Sequence, residues 1–470
     1  MLPVDPSTAP VRARKMRVAV FIEHDIIYRH FIRSRAFDDL AASHDVMFVF
    51  PSGDAAAKRM TIAVDPDDVS GEIEYVEIDA ARLYQWRRLF QVSQLVWRPG
   101  LAWKRLRIIS RRFLGPRASK LFTVLALPGI FEIFRWHSLR TIKAMPSPMA
   151  DLMRRTSPDI LVHPTVLDGL FINDVVLHAA EFGIPSILIM NSWDNPSTKR
   201  AVVGRPDRLL VWGQQTKNHA ITFMGMEPDK VVSFGAAQFD LYRRPARIDR
   251  AEFCRLHDID SAKPILLYAG SSKGSDEFQH LRMIEDAIHN GVLPDIAVVY
   301  RPHPWGNGGF NGERIIGHAW RHIHIEESMR GYLERVAAGQ KGISLPDYGD
   351  THDLLSAIDV LVSPLSTIIL EAMLHGKPVL CFLPDAQVDS SLDLQASLVH
   401  FEDMYSNPEV LVATGDDALI GQLKILAGRM SEPAVGQRMR AAAHHFVEDF
   451  DQPYDTRLTA FVARTAPVEI

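Results

Sequence analysis

The sequence predicts an α/β protein of two doubly wound, Rossmann-like lobes that face each other across a cleft. Three observations carry this. The chain has 470 residues, more than one ordinary α/β core absorbs. Short apolar runs rich in β-branched residues alternate with helical stretches, the pattern of βαβ units around a parallel sheet. The alternation stops at a polar connector, residues 243–263, and then begins again.

In chain order, residues 1–15 lack the apolar stretch of a secretion signal and read as a flexible tail. The run 16–23 (MRVAVFIE) has no polar face, so it reads as a buried parallel strand. A helical stretch follows to about residue 42. Further strands are expected at 46–50, 160–163, 184–190, 209–212 and 231–234, with a helix over 170–181. After the connector, strands are expected at 264–269, 296–300, 343–345, 360–363 and 378–383. This divides the chain into an N-terminal lobe (16–245), a C-terminal lobe (246–430) and a closing helical segment (431–470) that crosses back to the first lobe. In doubly wound sheets, ligands bind beyond the carboxyl ends of the strands, so the loops at those ends carry the functional reading.

Composition narrows the class. Hydrophobic content of 47% and charged content of 23% describe a globular chain. A formal charge of -5 gives no general case for nucleic acid as a partner. Two cysteines, Cys254 and Cys381, exclude a disulfide framework and fit a cytoplasmic protein. No run of 18 uncharged apolar residues occurs. No hydrolase elbow, zinc-protease signature or paired-cysteine motif is present, and nothing in the sequence calls for a metal or a resident cofactor.

Three strand-end loops of the C-terminal half share one chemistry. Ser366 and Thr367 follow the strand 360–363 and open a helix, where free backbone N–H groups and hydroxyls favour phosphate, and Glu371 lies one turn further in. Arg301 and His303 follow the strand 296–300 in the run RPHPW, whose prolines stiffen the backbone. A protonated or hydrogen-donating His303 beside Arg301 suits a diphosphate. Gly270, Ser271 and Lys273 follow the strand 264–269, and small residues there let the backbone approach a ligand. Singly, each loop is also explained by capping or by an ordinary turn. Their agreement is what points to a nucleotide.

The RPHP run, with S-x-x-ST-x-x-x-EAMLHGKPV downstream, resembles the donor half of the GT-B glycosyltransferases, and especially their surface-polysaccharide and CDP-glycerol glycerophosphotransferase-like group. The HP and ST pairs are similar to those of bacterial sialyl- and Kdo-type transferases, which use CMP-sugars. The stretch 209–240, with its VWG and its later GAAQFD, is similar to the passage between the lobes in the same group. By motif order the resemblance covers residues 155–385. It implies that His303, Ser366 and Thr367 hold donor phosphates and that Glu371 meets the donor ribose. It also implies a nucleotide-activated donor as substrate, on CMP, CDP or UDP, without a metal in the chemistry.

An acceptor and a catalytic base then fall to the N-terminal lobe. His24 and Asp25 end the first strand, Asp168 ends another, and Asp194 follows a third. Each stands where it can deprotonate a hydroxyl. Asp168 and Asp194 are equally explained as cap and turn residues, and the sequence leaves the four open.

Residues 81–145 stand apart. They hold fourteen Lys and Arg against one acid, Glu132, a net +13 in a chain whose total is -5. Ten aromatics are interleaved among them. Basic and aromatic residues mixed on helices suit an anionic membrane surface. With no nucleic-acid-binding motif beside the patch, the expected partner is the inner face of the cytoplasmic membrane. The expected activity is transfer of a sugar from a nucleotide donor to a cell-surface polysaccharide or lipid-linked glycan. The alternatives are a CDP-polyol phosphotransferase and a non-hydrolysing sugar-nucleotide epimerase, which share the donor loops.

Overall fold

A run such as Val18–Ile22 is wholly buried, so it satisfies its backbone only as a strand inside a sheet covered on both faces. The structure, a computed structural model, describes residues 15–97, 110–111, 114–270, 275–304, 312–340, 344, 346–383, 385 and 398–466. The first sheet holds β1 (Arg17–Phe21), β2 (Asp45–Ser52), β3 (Glu72–Glu77), β4 (Ile160–Thr165), β5 (Ser186–Met190), β6 (Arg208–Val211) and β7 (Val231–Ser233). The second holds β8 (Ile265–Ala269), β9 (Ala297–Arg301), β10 (Ile323–Ile325), β11 (Val360–Ser363), β12 (Val379–Leu383) and β13 (Leu411–Thr414).

The strand orders are β3-β2-β1-β4-β5-β6-β7 and β10-β9-β8-β11-β12-β13, and all pairs are parallel. Both sheets are therefore doubly wound, as the sequence predicts. Each reverses direction once, between β1 and β4 in the first and between β8 and β11 in the second. Those reversals leave a crevice at the carboxyl ends of the flanking strands.

Two expectations need correction. The helical stretch up to residue 42 is broken into Asp25–Ile27, a wide turn Tyr28–Ile32, and Asp38–Ser43. Arg35 between them has φ of 61°, a left-handed value that no helix continues through. Strands β3, β10 and β13 were not expected. The strand expected at 343–345 falls largely outside the described residues, as do almost all of the tail 1–15 and part of the segment 81–145.

Aromatic and amide contacts join the lobes. Trp193 meets Phe401 and Phe446 edge-on at 5.3 and 5.7 Å, and the Gln215 side chain donates to the His400 carbonyl at 2.8 Å. Phe446 packs in the core beneath β8, whereas Tyr454, Leu458 and Val462 of the last helix, Tyr454–Thr465, pack with Phe31, Leu40 and Phe234 of the first lobe. The basic segment is bolted to the first lobe by Arg82. Its guanidinium donates to Asp174 from Nε at 3.0 Å and to the Ile142 carbonyl at 2.6 Å, and both side chains are 1% exposed.

Candidate functional site

The two crevices meet in a cleft of about 680 Å³, the size of a small-molecule site. Nine of the residues singled out from sequence line it: His24, Asp168 and Asp194 from the first lobe, and Gly270, Arg301, His303, Ser366, Thr367 and Glu371 from the second. Ser271 and Lys273 lie outside the described residues. Asp25 does not line the cleft. Its carboxylate accepts from the backbone N–H groups of Thr61 and Ile62 at 2.9 and 3.0 Å and from the Thr61 hydroxyl at 2.5 Å, so it braces the loop beside β1.

The floor of the second-lobe side is Arg301, the last residue of β9. It is 6% exposed, and Nη2 donates to the Thr351 hydroxyl at 2.9 Å. Its Nη1 is buried and has no hydrogen-bond partner among the described residues. A buried guanidinium nitrogen without an acceptor is costly, and it is the group a bound anion would satisfy. His303 stands two residues on. Burial, and then the Arg301 charge, pull it down to about 4, so at neutral pH it is a neutral imidazole. Of the two forms the sequence allows, protonated or hydrogen-donating, burial favours the neutral donor.

Ser366 and Thr367 leave β11 and lead into the helix Ile368–Leu374. Thr367 is the N-cap residue of that helix, and among the described residues its side chain makes no capping bond. Glu371 is 9% exposed and accepts a short hydrogen bond from the Tyr242 hydroxyl. Burial raises it above the usual carboxylate range, against the pull of that hydroxyl and of Arg301. Gly270 has a structural reason: a Cβ there would lie 2.5 Å from the Glu277 carboxylate packed beneath it.

On the first-lobe side, Asp168 sits between cations, with Arg59 at 3.4 Å and Lys199 at 3.9 Å. The preceding Leu167 is fully buried at φ of 66°, a strained conformation of the kind found at functional loops. Asp194 is engaged by the hydroxyls of Ser192 at 2.5 Å and Thr198 at 3.0 Å. His24 accepts from the Ile26 N–H through Nδ1 at 3.1 Å, and burial, then Arg59, lower it.

Sequence reasoning missed the residues that close the cleft across the lobes. Arg29 donates to the Pro346 carbonyl and lies 4.1 Å over the Tyr348 ring, and His30 shares a 2.7 Å hydrogen bond with the Tyr348 hydroxyl. Burial, and then Arg29, push His30 down to about 3. Arg29 and His30 lie one turn past His24, and that adjacency was the available signal. Among the described residues, the lining holds four cations, Arg29, Arg59, Lys199 and Arg301, against three carboxylates. Among the same residues, no group of three or more His, Cys, Asp or Glu side chains is arranged to hold a metal.

Comparison with solved structures extends this to the whole chain. A protein described as a UDP-N-acetylglucosamine 2-epimerase from Listeria monocytogenes matches with a TM-score of 0.52 at 12% identity, over 97% of this chain and 100% of its own. The glycotransferase of kitacinnamycin matches with a TM-score of 0.51 at 14% identity, over 97% and 100%. This is the GT-B fold. At such identities the likeness carries the fold, and the reaction has to be argued from the site. No protein-family model and no curated protein matches the sequence.

Proposed function

We propose that the chain is a GT-B glycosyltransferase that takes a sugar from a nucleotide-activated donor, without a metal in the chemistry, and passes it to a cell-surface polysaccharide or a lipid-linked glycan. The observation that carries this reading is the buried Nη1 of Arg301, without a partner among the described residues, in a cleft that also presents His303, Ser366 and Thr367. The donor's phosphates sit on those four residues, and Glu371 faces its ribose. A carboxylate of the first lobe takes the acceptor's hydroxyl proton as that oxygen bonds to the sugar's anomeric carbon. The bond to the phosphate oxygen breaks, and its electron pair leaves with the nucleotide.

The test is a thermal-shift screen against CMP, CDP, UDP, GDP and their sugars, because a ligand bound to the folded state raises its melting temperature. A stabilising nucleotide names the base, and stabilisation by none of them overturns the reading. Release of CMP from a CDP-alcohol would favour polyol-phosphate transfer, and turnover without any acceptor an epimerase.

The same reading sets the protein on the inner face of the cytoplasmic membrane. The helices Pro116–Leu125 and Ile130–Lys143 expose Leu121, Val124, Ile133 and Trp136 beside Arg117, Lys120, Arg135 and Arg140. Among the described residues, no helix is long and apolar enough to cross a membrane. Apolar side chains within a basic surface suit the boundary of an anionic bilayer. Flotation with anionic liposomes and its loss in Ile133→Asp/Trp136→Asp is the expected result; binding indifferent to lipid charge would refute it.

A further inference from the structure

We infer that a second cavity, behind the Asp168 wall of the cleft, receives the acceptor, and that the acceptor carries a phosphate. This rests on the transferase reading above and adds where the second substrate sits and what charge it bears. The cavity has a volume of about 680 Å³. Three residues line both it and the cleft: Arg59, Asp168 and Lys199. Beyond that shared wall it runs along the helix Ala80–Gln94, which contributes Arg87 and Phe90, and it is bounded by Leu398 from the second lobe.

Its electrostatics select the ligand. Among the described lining residues, Arg59, Arg87 and Lys199 face a single carboxylate, Asp168. The ion pairs at 3.4 and 3.9 Å engage Arg59 and Lys199 with that carboxylate, whereas Arg87 is exposed and adds a further cation. A chamber with surplus positive charge and an apolar side at Phe90 and Leu398 fits a phosphate joined to a less polar body. Its position fits as well. A donor seated on Arg301 and Ser366 occupies the second-lobe side, and a group entering from this cavity reaches the cleft at Asp168.

The geometry also separates the four base candidates. Asp168 is the one that borders both chambers. Its carboxylate has no closer partner among the described residues than the 3.4 Å contact with Arg59, whereas the carboxylates of Asp25 and Asp194 already accept hydrogen bonds of 2.5 Å from hydroxyls.

The test uses the full chain and two probes with one head group: glycerol 3-phosphate and its monoacyl form below its micellar concentration. Calorimetric titration of the wild type should show binding of the phosphate probes. Arg87→Glu should weaken it at least tenfold and leave nucleotide affinity within twofold, because Arg87 lines the second cavity and not the cleft. Acyl-probe affinity at least tenfold above that of glycerol 3-phosphate assigns the phosphate to a lipid lying along Phe90 and Leu398. Equal affinities assign it to a soluble acceptor. Absence of binding, or binding that Arg87→Glu does not change, overturns the assignment. Failure of every nucleotide in the thermal-shift screen would instead sink the transferase reading, and the Arg87 result would stand apart from it.

Discussion

Two arginines are buried in this molecule to nearly the same degree, and they are used in opposite ways. Arg82 is 1% exposed and spends its guanidinium on Asp174, the Ile142 carbonyl and the Met145 carbonyl. Trp86 adds an indole N–H to the same Asp174 at 2.9 Å. Arg301 is 6% exposed, bonds Thr351 through one nitrogen and, among the described residues, leaves Nη1 without a partner. A buried charge with every donor satisfied holds structure together, and one with a donor left over at a cleft is paid for by what it binds. The first bolts the basic segment to the N-terminal lobe; the second is the seat of the proposed donor phosphates.

That contrast can be broken most forcefully at Arg82. Arg82→Met leaves Asp174 buried without its counter-charge, and breaking such a pair costs about 3–5 kcal/mol. Urea unfolding should show a loss of that order, and Arg82→Met/Asp174→Leu should recover most of it. A loss under about 1 kcal/mol would mean that water satisfies Asp174 and that the bolt is not structural. Arg301→Met should behave oppositely. Removing a charge with an unsatisfied donor leaves unfolding nearly unchanged, while nucleotide affinity falls by about 1.5–3 kcal/mol, the worth of a hydrogen bond to a charged group. Calorimetry and urea unfolding of the same variant separate the two readouts. A large stability loss with intact affinity would reverse the roles assigned here.

The sequence showed one of these arginines and hid the other for a physical reason. Arg301 ends a strand of unbroken apolar residues, so both the strand and its cleft-facing end are legible. Arg82 is one of fourteen basic residues in its segment, and nothing local distinguishes it from neighbours that face solvent. Its partner, Asp174, is 92 residues away. The aromatics of that segment divide in the same way: Trp86 and Phe90 are buried, whereas Trp97 and Trp136 are 61% exposed. The central strands were readable because both faces are covered. The edge strand β3, EIEYVE, carries three glutamates and has exposed positions, so it lacks the apolar run that marks the central strands, and β10 has three residues, too few for a pattern. Arg29, His30 and Tyr348 escaped because the site they close exists only when two lobes meet, more than 300 residues apart in the chain.

The smallest expected effect tests how Arg301 and His303 divide the work. A guanidinium does not titrate in the accessible range, so a slope in the binding profile belongs to another group. His303 is held to about 4 by burial and by Arg301, and an anion placed against it raises that value in the complex. Binding therefore takes up a proton in the window between about 4 and the raised value, and within it affinity must increase as pH falls. Above the window the profile is flat. The ligand should be a nucleotide-sugar, whose doubly esterified diphosphate stays ionised through this range, so the ligand contributes no slope. His303→Ala should lower affinity by about 1–3 kcal/mol and also abolish the acid-side rise. The same burial predicts that folding stability falls on acidification, since His30, His219, His303, His375 and His400 are all held at about 3 to 4 and the unfolded chain binds their protons first, from about 6.5 downward. Titrations should stay above the pH at which unfolding begins, as judged by circular dichroism. A rise that persists in His303→Ala would assign the proton to another group of the cleft, with Glu371 the next to replace, because it too is held away from its usual range.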